Sequence, residues 1–263
     1  MPLLKRLLKR NSHNIVLKVF AGLGRSVNRL YENRNHDLHS NGELNVIKKI
    51  SSTKPSIIFD GGANNGEYSA LFAQYSPETK IYSFEPVDTT FDLLVKNTED
   101  FENVIPFKKG LYKENCTKEI NIFNAHTHSS IFDIQGLHYD ATSKVSIDLI
   151  KGDDFVREHA IEQIDFLKID IEGAEYDALL GFEETIKQGK IKAVQFEYGY
   201  INITTKKLLI DFYAFLEKYG YVLGKIFPKK VEFRKYEYKY EDFLGPNFIA
   251  IKKSEESLIK LLS

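Results

Sequence analysis

The stretch Ile57–Ala73, IIFDGGANNGEYSALFA, constrains the fold more than any other part of the chain. A short apolar run ends in Asp60 and meets glycines at 61, 62 and 66 before an apolar, periodic segment resumes. A run of that length reads as a buried strand, and the glycines let a tight turn hand the chain straight to a helix. Strand, glycine turn and helix together open a βαβ unit, which commits the chain to a parallel sheet.

The same alternation continues downstream. KIYSFEP reads as a strand, and TTFDLLVKNTED as a helix opened by threonines suited to N-capping. NVIPFKKGLY gives a third strand, with KEINIF and KVSIDLI as two additions to the sheet. After a helix at DDFVREHA come the strands IDFLKIDIEG and KAVQFEYG, separated by the helix AEYDALLGFEETIKQG. A long helix, TTKKLLIDFYAFLEKYG, precedes YVLGKIF and NFIAIKK. The expected class is therefore α/β, a doubly wound sheet with helices on both faces. No helix separates the last two strands, so they should pair antiparallel.

At 263 residues the chain suits one such domain, residues 43–263, behind an N-terminal arm and loop, residues 1–42. Net charge is −1 but unevenly placed: every charge before Glu32 is basic, from Lys5 to Arg29. The remainder is net acidic, which argues against a nucleic-acid groove. In the arm, Leu3, Leu4, Leu7 and Leu8 alternate in pairs with Lys5, Arg6, Lys9 and Arg10, separating a leucine stripe from a basic one at helical period. That stripe suits peripheral contact with an anionic membrane, the body of the domain, or the second subunit of a homodimer. Cys116 is the only cysteine, so no internal disulfide forms. No run approaches the roughly 18 apolar residues of a membrane span. Lys18 interrupts the apolar patch from Ile15 to Leu23, and no convincing cleavage site accompanies it. The expected place is the cytoplasm, at most peripheral to a membrane.

Glu85 ends the second strand, 19 residues past Gly66. A carboxylate there can accept hydrogen bonds from both hydroxyls of an adenosine ribose. A nicotinamide dinucleotide asks for G-x-G-x-x-G, whereas GGANNG puts Ala63 where the pyrophosphate needs bare backbone. Asp60, just before the turn, would repel that pyrophosphate at short range. S-Adenosylmethionine has no phosphate but carries an ammonium and a sulfonium, which an acid at the strand end suits. It is the expected cofactor. Gly61, Gly62, Ala63, Asn64 and Gly66 would cradle its amino-acid end, Glu85 would hold the ribose, and Asp60 would reach the ammonium directly or through water. Structural roles stand beside these: Asp60 can cap the helix, and Glu85 before Pro86 can simply end a strand.

These residues resemble the FkbM-type methyltransferases. FDGGANNGEYSALFA is similar to that family's opening D-x-G-A-N-x-G-x-Y-S, and YSFEPVDTTFDLLVKN to its second strand and helix. HSSIF resembles the serine pair of its middle loop, and GDDFVREHAIEQIDFLKIDIEGAEYDALLGFEETI its longest block. The likeness runs from about Asn41 to Tyr198; Gly62 departs from it, standing where the family often has valine. It implies a class I methyltransferase fold with seven core strands, the last antiparallel, plus the helical arm. It also implies methylation of hydroxyls on sugars, polyketides and related metabolites. With Glu67, Tyr68 and Pro86 from the same motifs, and Ser130 from the middle loop, the cofactor-binding set is complete.

For the chemistry, Asp170 and Glu197 each end a strand, and open α/β sheets bind ligands beyond the carboxyl ends of their strands. Methyl transfer to oxygen needs mainly alignment, and removing the hydroxyl proton adds about 10²–10⁴-fold. Asp170 is the first choice of base and also lies near the reacting methyl, with His126 and His128 as alternatives and Glu197 facing the acceptor. Lys168 shares a strand face with Asp170 and can be its buried ion-pair partner. The two histidines could join Asp170 or Glu197 on a metal, but the loop supplies no third ligand and no metal is expected. Tyr198 and Tyr200 offer aromatic faces to a sugar or pack in the core. Two rivals remain at this stage: a nicotinamide oxidoreductase, and a non-catalytic scaffold that keeps the cofactor fold.

Overall fold

The computed structural model describes residues 10–123, 129–130, 141–244 and 246–263. Helix α1 (Ile15–Tyr31) is capped by Asn14, whose side chain accepts from the Leu17 N–H, and buries no residue. Helix α2 (Glu43–Ser52) leads into β1 (Ile57–Gly61), α3 (Glu67–Tyr75), β2 (Lys80–Phe84), α4 (Asp88–Asn97) and β3 (Val104–Phe107). The chain then leaves the sheet for β4 (Gly110–Tyr112), β5 (Cys116–Phe123), β6 (Ser129–Ser130) and β7 (Ala141–Lys151). It returns through α5 (Gly152–Glu158), β8 (Ile164–Ile169), α6 (Glu175–Gly181), α7 (Glu183–Lys187) and β9 (Ile191–Glu197). Helices α8 (Ile201–Thr205) and α9 (Leu209–Lys218) precede β10 (Tyr221–Ile226), β11 (Val231–Phe233), β12 (Asn247–Lys252) and α10 (Glu256–Leu262).

Among the described residues the main sheet runs β11-β10-β12-β9-β8-β1-β2-β3. The strands from β9 to β3 are parallel, and β12 lies antiparallel between β9 and β10. This contains the expected seven-stranded class I core with its antiparallel last strand, and β11 adds an edge. Side chains alternate across it at the period of two. Ile58, Ala193, Ile249 and Ile251 join α2, α3 and α10 on one face. Phe59, Val194, Phe196 and Phe248 join α5, α6 and α9 on the other. With both faces covered, function is left to the strand ends.

Three expectations need correction. KEINIF and KVSIDLI do not extend the main sheet: β5 and β7 pair antiparallel in a second sheet, with β4 parallel to β7. Alternating apolar residues fit either arrangement. What decides is the departure of the chain after Phe107, which lets Ile120, Ile147, Leu149 and Tyr112 form their own small core with Val87 and Ala174. The single helix expected over residues 174–189 breaks at Phe182. Gly181 there lies so close to the Tyr112 carbonyl that a Cβ would sit 2.1 Å from its oxygen. The long helix over residues 204–220 is likewise two, because Lys206 ends α8 in the left-handed region at φ 56°. The leucine stripe of residues 3–8 lies outside the described residues.

Candidate active site

The glycine turn and the carboxyl ends of β1, β2, β8 and β9 open into a cavity of about 620 Å³, within the range of small-ligand sites. The second sheet walls one side of it through Leu111, Tyr112, Ile120 and Leu149. Arg34 and His36, just past α1, line it as well.

At the turn, the N–H groups of Gly62 and Ala63 both donate to the Phe84 carbonyl, at 3.0 and 2.9 Å. Gly62 has φ +75°, and a Cβ there would lie 1.9 Å from the Asp170 carbonyl oxygen. Glycine is required because β8 passes directly beneath. Asn64, at φ 50°, donates its N–H to Glu85 Oε2 at 3.1 Å, and Val87 N–H donates to Oε1 at 2.9 Å. Glu85 is only 7% exposed. Burial pushes its carboxyl up to about 7 against the pull of those two N–H groups. Each Glu85 oxygen can accept a second hydrogen bond beyond that one N–H, and the two hydroxyls of a ribose would supply them. A buried carboxylate that lines the cavity beside the Gly62–Asn64 backbone fits an adenosyl cofactor.

Behind the turn lies a buried ion pair. Lys168 Nζ donates to Asp60 Oδ1 at 3.1 Å and to the Gly62 carbonyl at 3.2 Å, and lies 3.8 Å from Asp170 Oδ2. It also stands 4.9 Å from the centre of the Tyr68 ring. Burial alone would lower the ammonium pKa, but Asp60, Asp170 and Glu43 hold it above its usual value. Ser69 Oγ donates to the other oxygen of Asp60 at 2.7 Å.

At the carboxyl ends of β8 and β9, Asp170, Glu175 and Glu197 each present an oxygen within 4.8 Å of the others, a set that could hold a cation. Glu175 is fully buried, and its Oε1 accepts the N–H groups of Ile171 and Gly173 at 2.9 and 3.0 Å, fixing the turn after β8. Its Oε2 has no hydrogen-bond partner among the described residues. Burial pushes Glu175 up to about 8. Burial, and then the neighbouring charges of Asp170, Glu172 and Glu175, pushes Glu197 well above the carboxylate range. His36 Nδ1 lies 3.8 Å from Glu197 Oε1.

Of the sequence-derived site residues, Gly62, Ala63, Asn64, Glu67, Tyr68, Glu85, Pro86, Asp170 and Glu197 line the cavity. Three do not, and each has a reason. Asp60 is fully buried with both oxygens engaged, so it anchors Lys168 rather than reaching a ligand ammonium. Gly61 sits inside β1, where a Cβ would meet Leu111 at 2.7 Å. Gly66 faces α4, against Leu94 and Thr98. Tyr198 is core, with its hydroxyl on Glu241 and its ring stacked on Phe243, whereas Tyr200 lines the cavity. His126, His128 and the Ser130 side chain lie outside the described residues.

Sequence reasoning missed Glu43 and Gln195. Gln195 Nε2 donates to Glu43 Oε1 at 2.6 Å, and Tyr68 Oη donates to Gln195 Oε1 at 3.1 Å, bracing the cavity floor. The signal was there: a glutamine inside the buried strand KAVQFE must find a partner.

The methyltransferase FkbM domain profile matches residues 60–223, from β1 to β10. The chain is 26% identical over 174 residues to the hexuronic acid methyltransferase AglP of Haloferax volcanii, covering 65% of this chain and 69% of that protein. It is 27% identical over 156 residues to the methyltransferase sdnD of Sordaria araneosa, covering 48% and 60%. To the 2-O-methyltransferase NoeI of Sinorhizobium fredii it is 24% identical over 173 residues, covering 59% and 70%. A profile match over more than half of the chain, falling on the elements that build the cavity, makes this protein a member of the FkbM family of S-adenosylmethionine-dependent methyltransferases.

Proposed function

We propose that the protein methylates a hydroxyl group of a sugar, a glycan precursor or a related metabolite. The observation that carries this reading is the meeting of Asp170 and Glu197 oxygens at the acceptor end of the cofactor cavity. A hydroxyl loses its proton on methylation, and a carboxylate whose conjugate acid is held up by burial and like charge accepts a proton more readily. Glu197 has that environment, and Asp170 stands beside it within reach of the same hydroxyl. S-Adenosylmethionine supplies the activated methyl group. Gly62, Ala63 and Asn64 present backbone to its amino-acid end, and Glu85 accepts from its ribose. Lys168 keeps Asp170 in place. The likeness to AglP, a hexuronic acid methyltransferase, adds support for a sugar acceptor, and that to NoeI, a 2-O-methyltransferase, for transfer to oxygen.

The test uses the full chain, a methyl-labelled donor and a panel of neutral and uronic-acid glycosides. Label stable to mild base marks an ether and supports the reading. Base-labile label marks a methyl ester on a carboxyl group and overturns it. No transfer to any glycoside by a folded chain that binds adenosylhomocysteine overturns the sugar acceptor.

A further inference from the structure

Helix α1 is about 25 Å long at 1.5 Å per residue, and none of it is buried. At 100° per residue, Val16, Val19, Phe20, Leu23, Val27 and Leu30 fall within an arc of about 100°. Each is well exposed, Phe20 at 65% and Leu30 at 82%. Lys18, Arg25 and Arg29 fall on the other side, about 150° from the centre of that arc. The first 31 residues hold seven Lys and Arg and no acid, leaving 29 basic residues against 37 acidic ones in the remainder.

We propose that α1 lies in the surface of an anionic lipid bilayer, apolar face inward, and holds the mouth of the cofactor cavity against it. The charges choose the occupant. Two copies of α1 could pair through their stripes, but helix pairs are set by opposite charges flanking the seam, and every charge on α1 is positive. The body does not cover the stripe, since all six residues are exposed. An anionic membrane answers both faces: acyl chains take the stripe, and headgroups attract the lysine and arginines.

The anchor is tied to the site. Glu32, directly after α1, accepts from Lys225 Nζ at 2.9 Å, and Lys225 is only 1% exposed. Asn33 Nδ2 donates to the carbonyls of Asn41 at 2.7 Å and Ile226 at 3.1 Å. Arg34 and His36 then line the cavity. Tyr200 and Ile201 also line the cavity, and the exposed Ile203, Lys206 and Leu208 follow them in the chain. A second segment that lines the cavity thus continues into exposed apolar and basic residues. The consequence for the substrate, a glycan carried on lipid, rests on the function proposed above; the membrane contact itself does not.

The experiment is sedimentation of the full chain with vesicles of phosphatidylcholine, with and without phosphatidylglycerol, alongside the double variant Phe20→Glu, Leu23→Glu. The wild type should pellet with the anionic vesicles. The variant should bind them at least about tenfold more weakly, with unchanged unfolding midpoint and unchanged adenosylhomocysteine affinity, because no α1 residue is buried. Failure of the wild type to pellet, or equal pelleting of the variant, overturns the proposal. So does a wild-type dimer in velocity sedimentation that the variant dissolves while neither binds vesicles. Acceptor assays are read separately, so a wrong acceptor leaves the vesicle result standing.

Discussion

Replacing Lys168 with methionine keeps most of the side chain's volume and removes its charge. In the wild type that charge lies 3.1 Å from Asp60, in a place where Asp60 is fully buried and has only Ser69 besides. Removing one partner of a buried ion pair costs about 3–5 kcal/mol, because the other charge is left without compensation. A second route gives the same size. The stranded Asp60 can always escape by taking up a proton, and an ordinary aspartate titrates near about 3.9, so the cost at pH 7 cannot exceed about 4 kcal/mol for that group. Asp170 and Glu43 feel the same cation.

The escape by protonation also fixes the pH dependence. In the variant, taking up a proton relieves the stranded carboxylate, so the folded state binds more protons than the unfolded one. The loss should be small near pH 4 and grow toward pH 7, by at most about 1.4 kcal/mol per pH unit. Lys168 itself adds no slope there, because its own raised pKa removes stability only in the alkaline range. Urea unfolding followed by circular dichroism at pH 5 and pH 7 measures both. The double variant Asp60→Asn, Lys168→Met should recover most of the loss, since the fully buried carboxylate nearest the cation is gone as well. A gap below about 1 kcal/mol at pH 7, or one that does not change with pH, would refute the account of Lys168 as Asp60's counter-charge.

Four further outcomes follow from the site. Glu85→Gln should weaken adenosylhomocysteine binding by about 10–100-fold, the worth of hydrogen bonds to a charged acceptor. Since Glu85 is pushed up to about 7 in the ligand-free chain, calorimetric affinity of the wild type should fall as pH drops below that value and the carboxylate takes a proton. Gly62→Ala places a Cβ 1.9 Å from the Asp170 carbonyl oxygen at a positive φ, and should cost more than about 3 kcal/mol in thermal or urea unfolding. Asp170→Asn should keep the Kd for adenosylhomocysteine within a few-fold and lower kcat by about 10²–10⁴ once an acceptor is in hand; unchanged turnover would remove Asp170 from the chemistry.

The cofactor half of the site was legible in the sequence because it is made of strand ends and backbone. A glycine turn after a short apolar run, then an acid at the end of the next strand, can be read along the chain without knowing any distant contact. The same pattern did not say which way each glycine faces. Gly61 is bare because Leu111 lies over it, and Gly66 because Leu94 and Thr98 do, and both facts depend on elements more than 25 residues downstream. Asp60 was misassigned for a similar reason: its partner Lys168 is 108 residues away, and only the shared parity of Lys168 and Asp170 on one strand hinted that a buried cation stood there.

The remaining walls of the cavity have a different origin. Arg34 and His36 come from the segment after α1, Tyr112 and Leu149 from the second sheet, Tyr200 from the link after β9, and Phe243 from the connector before β12. None of these segments bears the cofactor turn, and the first is held by the Asn33 ties to Asn41 and Ile226. On the function proposed above, acceptor choice would change by altering these walls without touching Gly62, Glu85 or the Asp60–Lys168 pair. The exception is the carboxylate group, where Asp170 lines the cavity and lies 3.8 Å from Lys168, which is bonded to the Gly62 carbonyl of the turn. An effect of Asp170→Asn on turnover is therefore assigned to the chemistry only beside an unchanged cofactor affinity.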